Sequence, residues 1–326
     1  MFDRRRFLHR LAAVSSLAST ATIGGCVATH SASTPDLVWG RRGIEDGRML
    51  KPRAITIDRL DRLFIADTTG RIQCFDADGK YLFHWRTPEA ANGRPTGLGY
   101  LRGRSPESDR VLVADTHYYR VLAYRTDGTL DPSATIGGSA GSDPGQFAFV
   151  TDVATDADGC RYVGEYNASD RIQKFDPEGR FICSWGGTGT GDGEFIRPQS
   201  LMIRDRVLYV ADACNHRVQR FDLRGETPEL IDVWGSMGNK PGQLFYPYGL
   251  DFAPDGDLLV VEYKNARVQR FATDGTLRTS WGRGGVWGGP GFDAGRLNQP
   301  WGLVTDSLGR VHVLDSNNHR VQRFHA

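Results

Sequence analysis

The chain has 326 residues, and its 40 Lys and Arg against 39 Asp and Glu give a formal net charge of +1. Hydrophobic residues make up 39% of it, which suffices for a core but is too little for an integral membrane protein. The 40 glycines exceed the usual share of ~7%, and because they are not phased in threes they indicate many turns rather than collagen.

The first 25 residues are basic and then weakly apolar, a pattern typical of a cleaved export signal. The stretch DRRRFLHR resembles the twin-arginine export motif, although Asp3 and His9 depart from it. IGGC at the end of the segment resembles a bacterial lipobox, which would make Cys26 the lipidated first residue; an ordinary secretory signal is the alternative. We therefore expect a signal at 1–25, a lipidated cysteine and polar tether at 26–35, and a lipid-anchored protein outside the cytoplasm, in the periplasm or at the cell surface.

Without residues 1–25 the chain keeps 36 basic and 38 acidic residues, a net charge near −2. This balance argues against a generic binder of nucleic-acid backbones. Four cysteines remain, and their spacing fits no metal site, while their disulfide state stays open. They are Cys74, Cys160, Cys183 and Cys214.

An internal repeat organises the rest of the chain. The pentapeptide RVQRF occurs three times, and looser copies such as RIQCF and RIQKF bring the total to six. Their first arginines stand at 71, 120, 171, 217, 267 and 320, so the intervals are 49, 51, 46, 50 and 53 residues. Each copy follows an apolar run that ends in a carboxylate, as in LFIAD and LYVAD.

Within each repeat, apolar and polar residues alternate with period two in strand-length runs. Dipeptides such as Asp78-Gly79 and Asp255-Gly256 separate these runs and favour tight hairpins. Each repeat is therefore predicted to be four antiparallel strands. Because such a unit cannot bury its faces alone, the repeats are expected to stack radially as propeller blades.

The two ends of the chain predict how the ring closes. The sixth repeat stops after its third strand, at Phe324, and DLVWG at Asp36–Gly40 has the Trp-Gly ending of a fourth strand with nothing before it. Pairing these two segments would remove the free edge. We predict an all-β, six-bladed propeller over residues 36–326, with the last blade closed by the N-terminal strand.

The stretches PYGLDFAPDGDLLVVEYKNARVQRF, ADACNHRVQRF and DSNNHRVQRF resemble the NHL repeat. This resemblance implies a propeller fold across residues 36–326. It says little about function, since propellers of this type include enzymes, protein binders and RNA binders.

A carboxylate and an arginine bracket the same loop in every repeat. Sixfold recurrence favours structural ion pairs that fix this loop; a cation site at the channel mouth is the alternative. The carboxylates are Asp67, Asp115, Glu165, Asp212, Glu262 and Asp315, and the arginines are Arg71, Arg120, Arg171, Arg217, Arg267 and Arg320. His216 and His319 occupy one recurring position and are likewise interpreted as structural.

One position at the start of each innermost strand differs from blade to blade. Peptide-amidating lyases, an enzyme family on this fold, hold zinc with histidines at several such positions, but this chain has none there. The six residues are Arg53, Thr96, Thr151, Gln199, Tyr248 and Trp301. We predict no metal ligand, no cofactor and no catalytic residue among them.

The link between blades five and six is longer than its counterparts and contains Trp287 and Phe292. We expect it on the channel-mouth face, meaning the face that carries the links between blades and the loops between second and third strands. Together with Tyr248, Trp301 and Arg53 it predicts an aromatic patch near the channel mouth, with packing between blades as the alternative.

Two functions remain in competition at this stage. The first is a monomeric module that binds a protein, peptide or glycan through the channel-mouth face. The second is a metal-dependent lyase or lactonase-like hydrolase, for which Asp152 and Asp251 on the innermost strands would be the acidic candidates. Whether the chain is an enzyme stays open, and binding of nucleic acid is not expected.

Overall fold

The computed structural model describes residues 34–282 and 290–325. Over this part of the chain 24 strands form six four-stranded sheets, and every pairing within them is antiparallel. The predicted all-β, six-bladed propeller is thereby confirmed. Short 3-10 turns lie at Pro106–Ser108, Thr116–Tyr118, Pro132–Ala134, Ala213–Asn215 and Ser316–Asn318. None of the helical turns in the described ranges is long or apolar enough to cross a bilayer.

The strands follow one another from the channel outward in each blade. Blade 1 has β2 (Pro52–Ile57), β3 (Leu63–Asp67), β4 (Arg71–Phe75) and β5 (Tyr81–Arg86); blade 2 has β6 (Gly97–Leu101), β7 (Arg110–Asp115), β8 (Arg120–Arg125) and β9 (Ile136–Gly137); blade 3 has β10 (Phe149–Thr155), β11 (Arg161–Tyr166), β12 (Arg171–Phe175) and β13 (Phe181–Gly186). Blade 4 has β14 (Pro198–Arg204), β15 (Val207–Asp212), β16 (Arg217–Asp222) and β17 (Glu229–Trp234); blade 5 has β18 (Pro247–Phe252), β19 (Leu258–Glu262), β20 (Arg267–Phe271) and β21 (Leu277–Trp281); blade 6 has β22 (Leu303–Thr305), β23 (Arg310–Asp315), β24 (Arg320–His325) and β1 (Leu37–Trp39).

Position within the blade decides how each strand is buried. The middle strands β3 and β4 are buried along their whole length, because neighbouring blades cover both faces. The outer strands β5 and β13 instead alternate half-buried and exposed residues, as expected where one face meets solvent. Six apolar clusters fill the six spaces between consecutive blades, so the core is distributed around the ring.

The N-terminal strand closes the ring as the sequence predicts. In β1, Leu37 pairs with Arg323 and Trp39 pairs with Val321 of β24. The Arg323 guanidinium bonds the Asp36 and Asp78 carboxylates, each at 2.7 Å, and so ties blade 6 to the first blade. Both chain ends therefore lie in one sheet, and the ring has no free seam there.

The recurring pentapeptide holds the link that enters its own blade. In blade 4 the Arg217 guanidinium donates to the Gly191 and Glu194 carbonyls at 2.7 and 2.8 Å. The Gln219 side chain donates to the Glu194 carbonyl at 2.7 Å and accepts from the Gly193 amide at 2.9 Å. Gly193 has φ +83°, a left-handed conformation that glycine adopts without strain. Because arginine and glutamine clamp this turn, the motif recurs wherever a link has the same turn.

The same arginine also reaches the carboxylate at the end of the preceding strand. The shortest nitrogen–oxygen distances are 3.0 Å for Arg71–Asp67, 2.8 Å for Arg120–Asp115, 2.5 Å for Arg171–Glu165, 2.7 Å for Arg217–Asp212, 2.5 Å for Arg267–Glu262 and 2.6 Å for Arg320–Asp315. Five of the six carboxylates also accept a backbone amide of the link, such as Ile196 N on Asp212 at 2.8 Å, whereas Asp115 does not. Each carboxylate is therefore already engaged within its own blade.

Candidate functional site: the channel mouth

A central channel of about 250 Å³ runs along the six innermost strands. Five of the six variable positions line it: Arg53, Thr96, Gln199, Tyr248 and Trp301. The sixth, Thr151, is 1% exposed and donates its hydroxyl to the Pro198 carbonyl at 2.5 Å. Thr151 therefore joins blades 3 and 4 instead of lining the channel.

A β-bulge places four of these residues. The register of β2, β10, β14 and β18 against the second strand skips one residue each time, namely Arg53, Thr151, Gln199 and Tyr248. A bulged residue has no partner directly opposite and its side chain is re-aimed. The bulge explains why the residue at this position can vary between blades without disturbing the strand pairing.

Three aromatic rings meet at the channel mouth. The Tyr248 and Trp301 ring centroids lie 4.9 Å apart at an interplanar angle of 61°. Tyr263 stacks on Tyr248 at 4.9 Å and meets Trp301 edge-on at 5.6 Å. The predicted pair is therefore part of a cluster that includes a third residue, Tyr263, which the sequence analysis missed.

A comparison across repeats could have revealed Tyr263. The residue that follows each loop carboxylate is small in four blades and tyrosine in two. These residues are Thr68, Thr116, Tyr166, Ala213, Tyr263 and Ser316. The two tyrosines both contribute to the channel mouth, since Tyr166 packs against the Arg197 guanidinium at 4.8 Å.

Two arginines flank this aromatic cluster. The Arg53 guanidinium lies over the Trp301 ring at 5.2 Å, across the junction of blades 1 and 6. Arg197 lies over Tyr248 at 5.4 Å and donates its Nε to Gln199 Oε1 at 2.7 Å. The backbone of Arg197 has φ +63°, and the Asp170 carboxylate accepts its amide at 2.8 Å. Arg197 was not predicted, because it precedes β14 at a position where the repeats share no residue.

Three guanidinium groups lie close together at the mouth. Burial lowers the pKa of Arg53, and the nearby Arg197 and Arg94 lower it further. Burial, followed by Arg53, lowers the pKa of His117. Within residues 34–282 and 290–325, none of Arg53, Arg94 and Arg197 forms an ion pair. The mouth therefore combines three guanidinium groups with aromatic walls and lacks a carboxylate partner for them.

Asp152 and Asp251 lie deeper in the channel wall. The Asp152 carboxylate accepts the Leu201 amide of the next blade at 3.0 Å, and Asp251 accepts the Thr305 amide at 2.6 Å. Burial raises the pKa of Asp152 to about 7 and that of Asp251 to about 6. Each carboxyl thus connects the innermost strands of two blades.

The recurring histidines perform a similar linking task. His216 Nδ1 accepts the Tyr246 amide at 3.1 Å, and His319 Nδ1 accepts the Lys51 amide at 2.9 Å. Tyr246 and Lys51 both have positive φ values just before an innermost strand. Each histidine therefore holds the entrance of the following blade.

Of the remaining predicted positions, Phe292 is 76% exposed on the link into blade 6. Trp287 and the proposed lipidation site Cys26 lie outside the described residues. No group of three His, Cys, Asp or Glu side chains in the described part of the chain has the geometry of a metal site.

The last blade carries a family signature. Residues 297–324 match the NHL repeat. This match confirms the predicted NHL repeat for the segment that builds most of blade 6. The match includes Trp301 at the channel mouth and the Asp315–Arg320 ion pair.

Longer relatives contain related segments. The peptidyl-glycine alpha-amidating monooxygenase of Mus musculus is 27% identical over 233 residues, which are 68% of this chain. The chain spans only 22% of the length of that protein. The similarity therefore concerns one part of a much larger molecule.

Two solved structures share the fold. A Bacteroides thetaiotaomicron protein of unknown function superposes with a TM-score of 0.65 at 16% identity, covering 90% of this chain and 75% of its own. An auxiliary nutrient binding protein from the same organism superposes with a TM-score of 0.61 at 14% identity, covering 84% of this chain and 69% of its own. At these identities the likeness shows the fold alone.

Proposed function

We propose that the chain is a monomeric binding module that holds a protein, peptide or glycan on its channel-mouth face. The observation that carries this proposal is that the side chains at the channel mouth differ between blades, although the backbone repeats from blade to blade. The variable bulge residues, Tyr263 and Arg197 concentrate aromatic and cationic side chains at one opening. Tryptophan, tyrosine and arginine are enriched among the residues that contribute most of the binding energy at interfaces.

The links between blades support the same face. Ile44 and Phe292 occupy equivalent positions in the links that enter blades 1 and 6, and they are 66% and 76% exposed. The corresponding residues of three other links are polar, namely Ser142, Thr190 and Asn239. At this link position the exposed apolar side chains therefore occur on the same two blades as Arg53 and Trp301, and Met237 in the link into blade 5 is 61% exposed as well. Exposed apolar side chains that do not pack in the core favour contact with a partner.

We further propose that the protein is exported and held outside the cytoplasm by a lipid on Cys26. The register of β1 supports a definite orientation for such an anchor. Leu37 pairs with Arg323 near the end of β24, whereas Trp39 pairs with Val321 near its start. β1 therefore begins at the face opposite the channel mouth, so a lipid anchor on Cys26 would direct the mouth away from the membrane.

The alternative function, a metal-dependent lyase or lactonase-like hydrolase, has less support. The similarity to an amidating monooxygenase motivates it. However, the positions at which amidating lyases carry zinc-binding histidines hold other residues here, and two of these, Gln199 and Trp301, already have partners in the mouth. The geometry supports binding better than a metal-dependent reaction.

A matched pair of surface variants tests the proposed face. Immobilised residues 27–326 are incubated with envelope extract of the native host, and captured proteins and glycans are quantified by mass spectrometry. The test variant is Ile44→Asp with Phe292→Asp. The control variant is Leu60→Asp with Leu308→Asp, because Leu60 and Leu308 are 65% and 73% exposed on the opposite face of the same two blades.

We expect the wild type and the control variant to enrich the same partner and the test variant to lose it. Equal capture by all three proteins would contradict the proposal. So would a partner that is lost only with the Leu60 and Leu308 substitutions.

A further inference from the structure

We propose that the channel mouth binds a carboxylate, which the Arg53 guanidinium receives against the Trp301 ring with Arg197 as the second cation. This inference names the chemistry of the ligand and rests on the proposed binding function of the same face. Here the ligand is recognised by its negative charge, whereas the proposed binding face was argued from aromatic and apolar contacts.

The first step is that Arg53 has no counter-ion in the described part of the chain. Every repeat arginine at the loop carboxylates is paired within 3.0 Å. Arg53 is half-buried in the channel and lies over the Trp301 ring, but its side chain forms no hydrogen bond or ion pair with the described residues. A buried charge without a partner is unfavourable for the fold. A propeller that only needed packing here could carry an apolar residue at this position.

The second step is that other cations converge on the same opening. The Arg197 guanidinium uses Nε for Gln199, and no described residue accepts from its two terminal nitrogens. Arg94 donates to the Thr68 and Gly93 carbonyls and to no carboxylate that the structure describes. Arg53 and Arg197 bracket a pair of rings, Trp301 and Tyr248, that are 4.9 Å apart. An anion at the mouth would therefore meet donors from two sides and relieve their mutual repulsion.

The third step selects a carboxylate among anions. The planar guanidinium fork matches a carboxylate in a bidentate arrangement. Asp152 and Asp251 line the same channel below the mouth and would disfavour a multiply charged group. The aromatic walls suit an organic body attached to the acid. A singly charged organic acid, free or at the end of a peptide, fits these three conditions.

Paired acid and amide probes test this inference. Binding to residues 27–326 is followed by saturation-transfer NMR and by the intrinsic tryptophan fluorescence. Phenylacetate is compared with phenylacetamide, and N-acetylphenylalanine with N-acetylphenylalanine amide, so that a free acid and a peptide-like terminus are examined separately. The variants are Arg53→Gln and, as a control, Arg180→Gln, whose side chain is 75% exposed far from the channel and bonded to Asp176 at 2.5 Å.

We expect at least one acid to bind more tightly than its amide, and Arg53→Gln to weaken that acid about ten-fold or more, as for loss of a charge-assisted hydrogen bond. The Arg180→Gln protein should bind like the wild type. Whichever acid shows the effect identifies the source of the carboxylate.

Equal binding of acids and amides would overturn the inference, as would an unchanged affinity in Arg53→Gln or the absence of saturable binding by either acid. The partner captured in the surface-variant experiment separates the two proposals. If Ile44→Asp with Phe292→Asp abolishes capture but the acid probes fail, the binding function stands and the carboxylate inference alone is wrong.

Discussion

The arginines of this molecule include two sets that differ in their partners. The repeat arginines lie at the loop carboxylates, and each is bonded to a carboxylate of its own blade. The arginines of the channel mouth, Arg53 and Arg197, contact aromatic rings and form no ion pair among the described residues. The first set is repeated because each blade needs the same loop. The second set occurs once, so a requirement of the fold does not explain it.

The energetic consequence is that the two sets should respond oppositely to the same substitution. Removing a repeat arginine leaves a buried carboxylate without its cation. Removing Arg53 takes away a desolvated charge that has no partner and that repels its neighbours.

The largest effect is expected for Arg71→Gln. Arg71 is 1% exposed and Asp67 is fully buried, so the substitution leaves an uncompensated carboxylate and should cost about 3–5 kcal/mol of unfolding free energy. Arg53→Gln should leave the stability unchanged or raise it. Urea unfolding of both variants followed by circular dichroism measures the difference. A loss of stability in Arg53→Gln comparable with that in Arg71→Gln would remove the contrast between the two sets.

Arg120→Gln allows a comparison between two arginines of the repeat set. In blade 2 the pentapeptide is RVLAY, so Leu122 replaces the clamping glutamine, and Arg120 bonds the Glu89 carboxylate at 2.7 Å instead of link carbonyls. Glu89 is 55% exposed, which weakens that contact. Arg120→Gln should therefore destabilise the protein less than Arg71→Gln.

The repeated set is also what made the fold predictable. The carboxylate and the arginine recur in six repeats, and Asp-Gly turns recur in several of them. A repeat that departs from the pattern can therefore be interpreted by comparison with the others. The role of the glutamine in RVQRF was not anticipated, because its partner is a glycine turn of the preceding link, some 26 residues away in sequence. Ring closure could be predicted because the missing strand at one end matched the spare strand at the other.

The site was predictable only in part, because only some of its residues lie at positions that can be compared between repeats. Tyr248, Trp301 and Arg53 were found by asking where the repeats differ, and the structure places them together. Thr151 occupies the same repeat position but is directed into the space between blades, since a bulge re-aims each side chain according to its surroundings. Arg197 and Tyr263 stand outside the strands. The repeats share no residue at the position of Arg197, so periodicity gave no signal for it, whereas Tyr263 could have been found because tyrosine replaces a small residue at its repeat position in two blades.

An intermediate effect is expected for Asp152, a buried carboxyl without a cation partner. Its pKa is raised to about 7 by burial, so the protonated form is favoured in the folded state. The stability that it contributes is therefore present at low pH and lost as the pH rises through 7. Between pH 6 and 8 the wild type should lose about 1.4 kcal/mol relative to Asp152→Asn, whose side chain does not titrate.

Unfolding free energies of the wild type and Asp152→Asn at pH 6, 7 and 8 check this prediction. Asp251→Asn is the matched control, because the pKa of Asp251 is raised only to about 6 and most of its effect should appear below pH 7. Parallel pH profiles for the wild type and Asp152→Asn would mean that the Asp152 carboxyl stays ionised in the channel wall.

The smallest effect is expected at His319, which joins the two ends of the ring. Its Nδ1 accepts the Lys51 amide at 2.9 Å, and burial, together with Arg42 and Lys51, lowers its pKa. Because the neutral form is favoured in the folded state, the stability from this bond is present above the unfolded pKa near 6.5 and lost as the pH falls. The loss should be about 1 kcal/mol, the usual contribution of one hydrogen bond.

His319→Asn keeps a residue type that tolerates the φ of +59°, and it should abolish the part of the stability that is lost in acid. Thermal unfolding at pH 7 and 5 measures this effect. Tyr119→Asn, at the equivalent position of blade 2 with a φ of +55°, removes no imidazole and should keep the wild-type profile, so an identical change in both variants would show that the Lys51 bond does not carry the pH dependence.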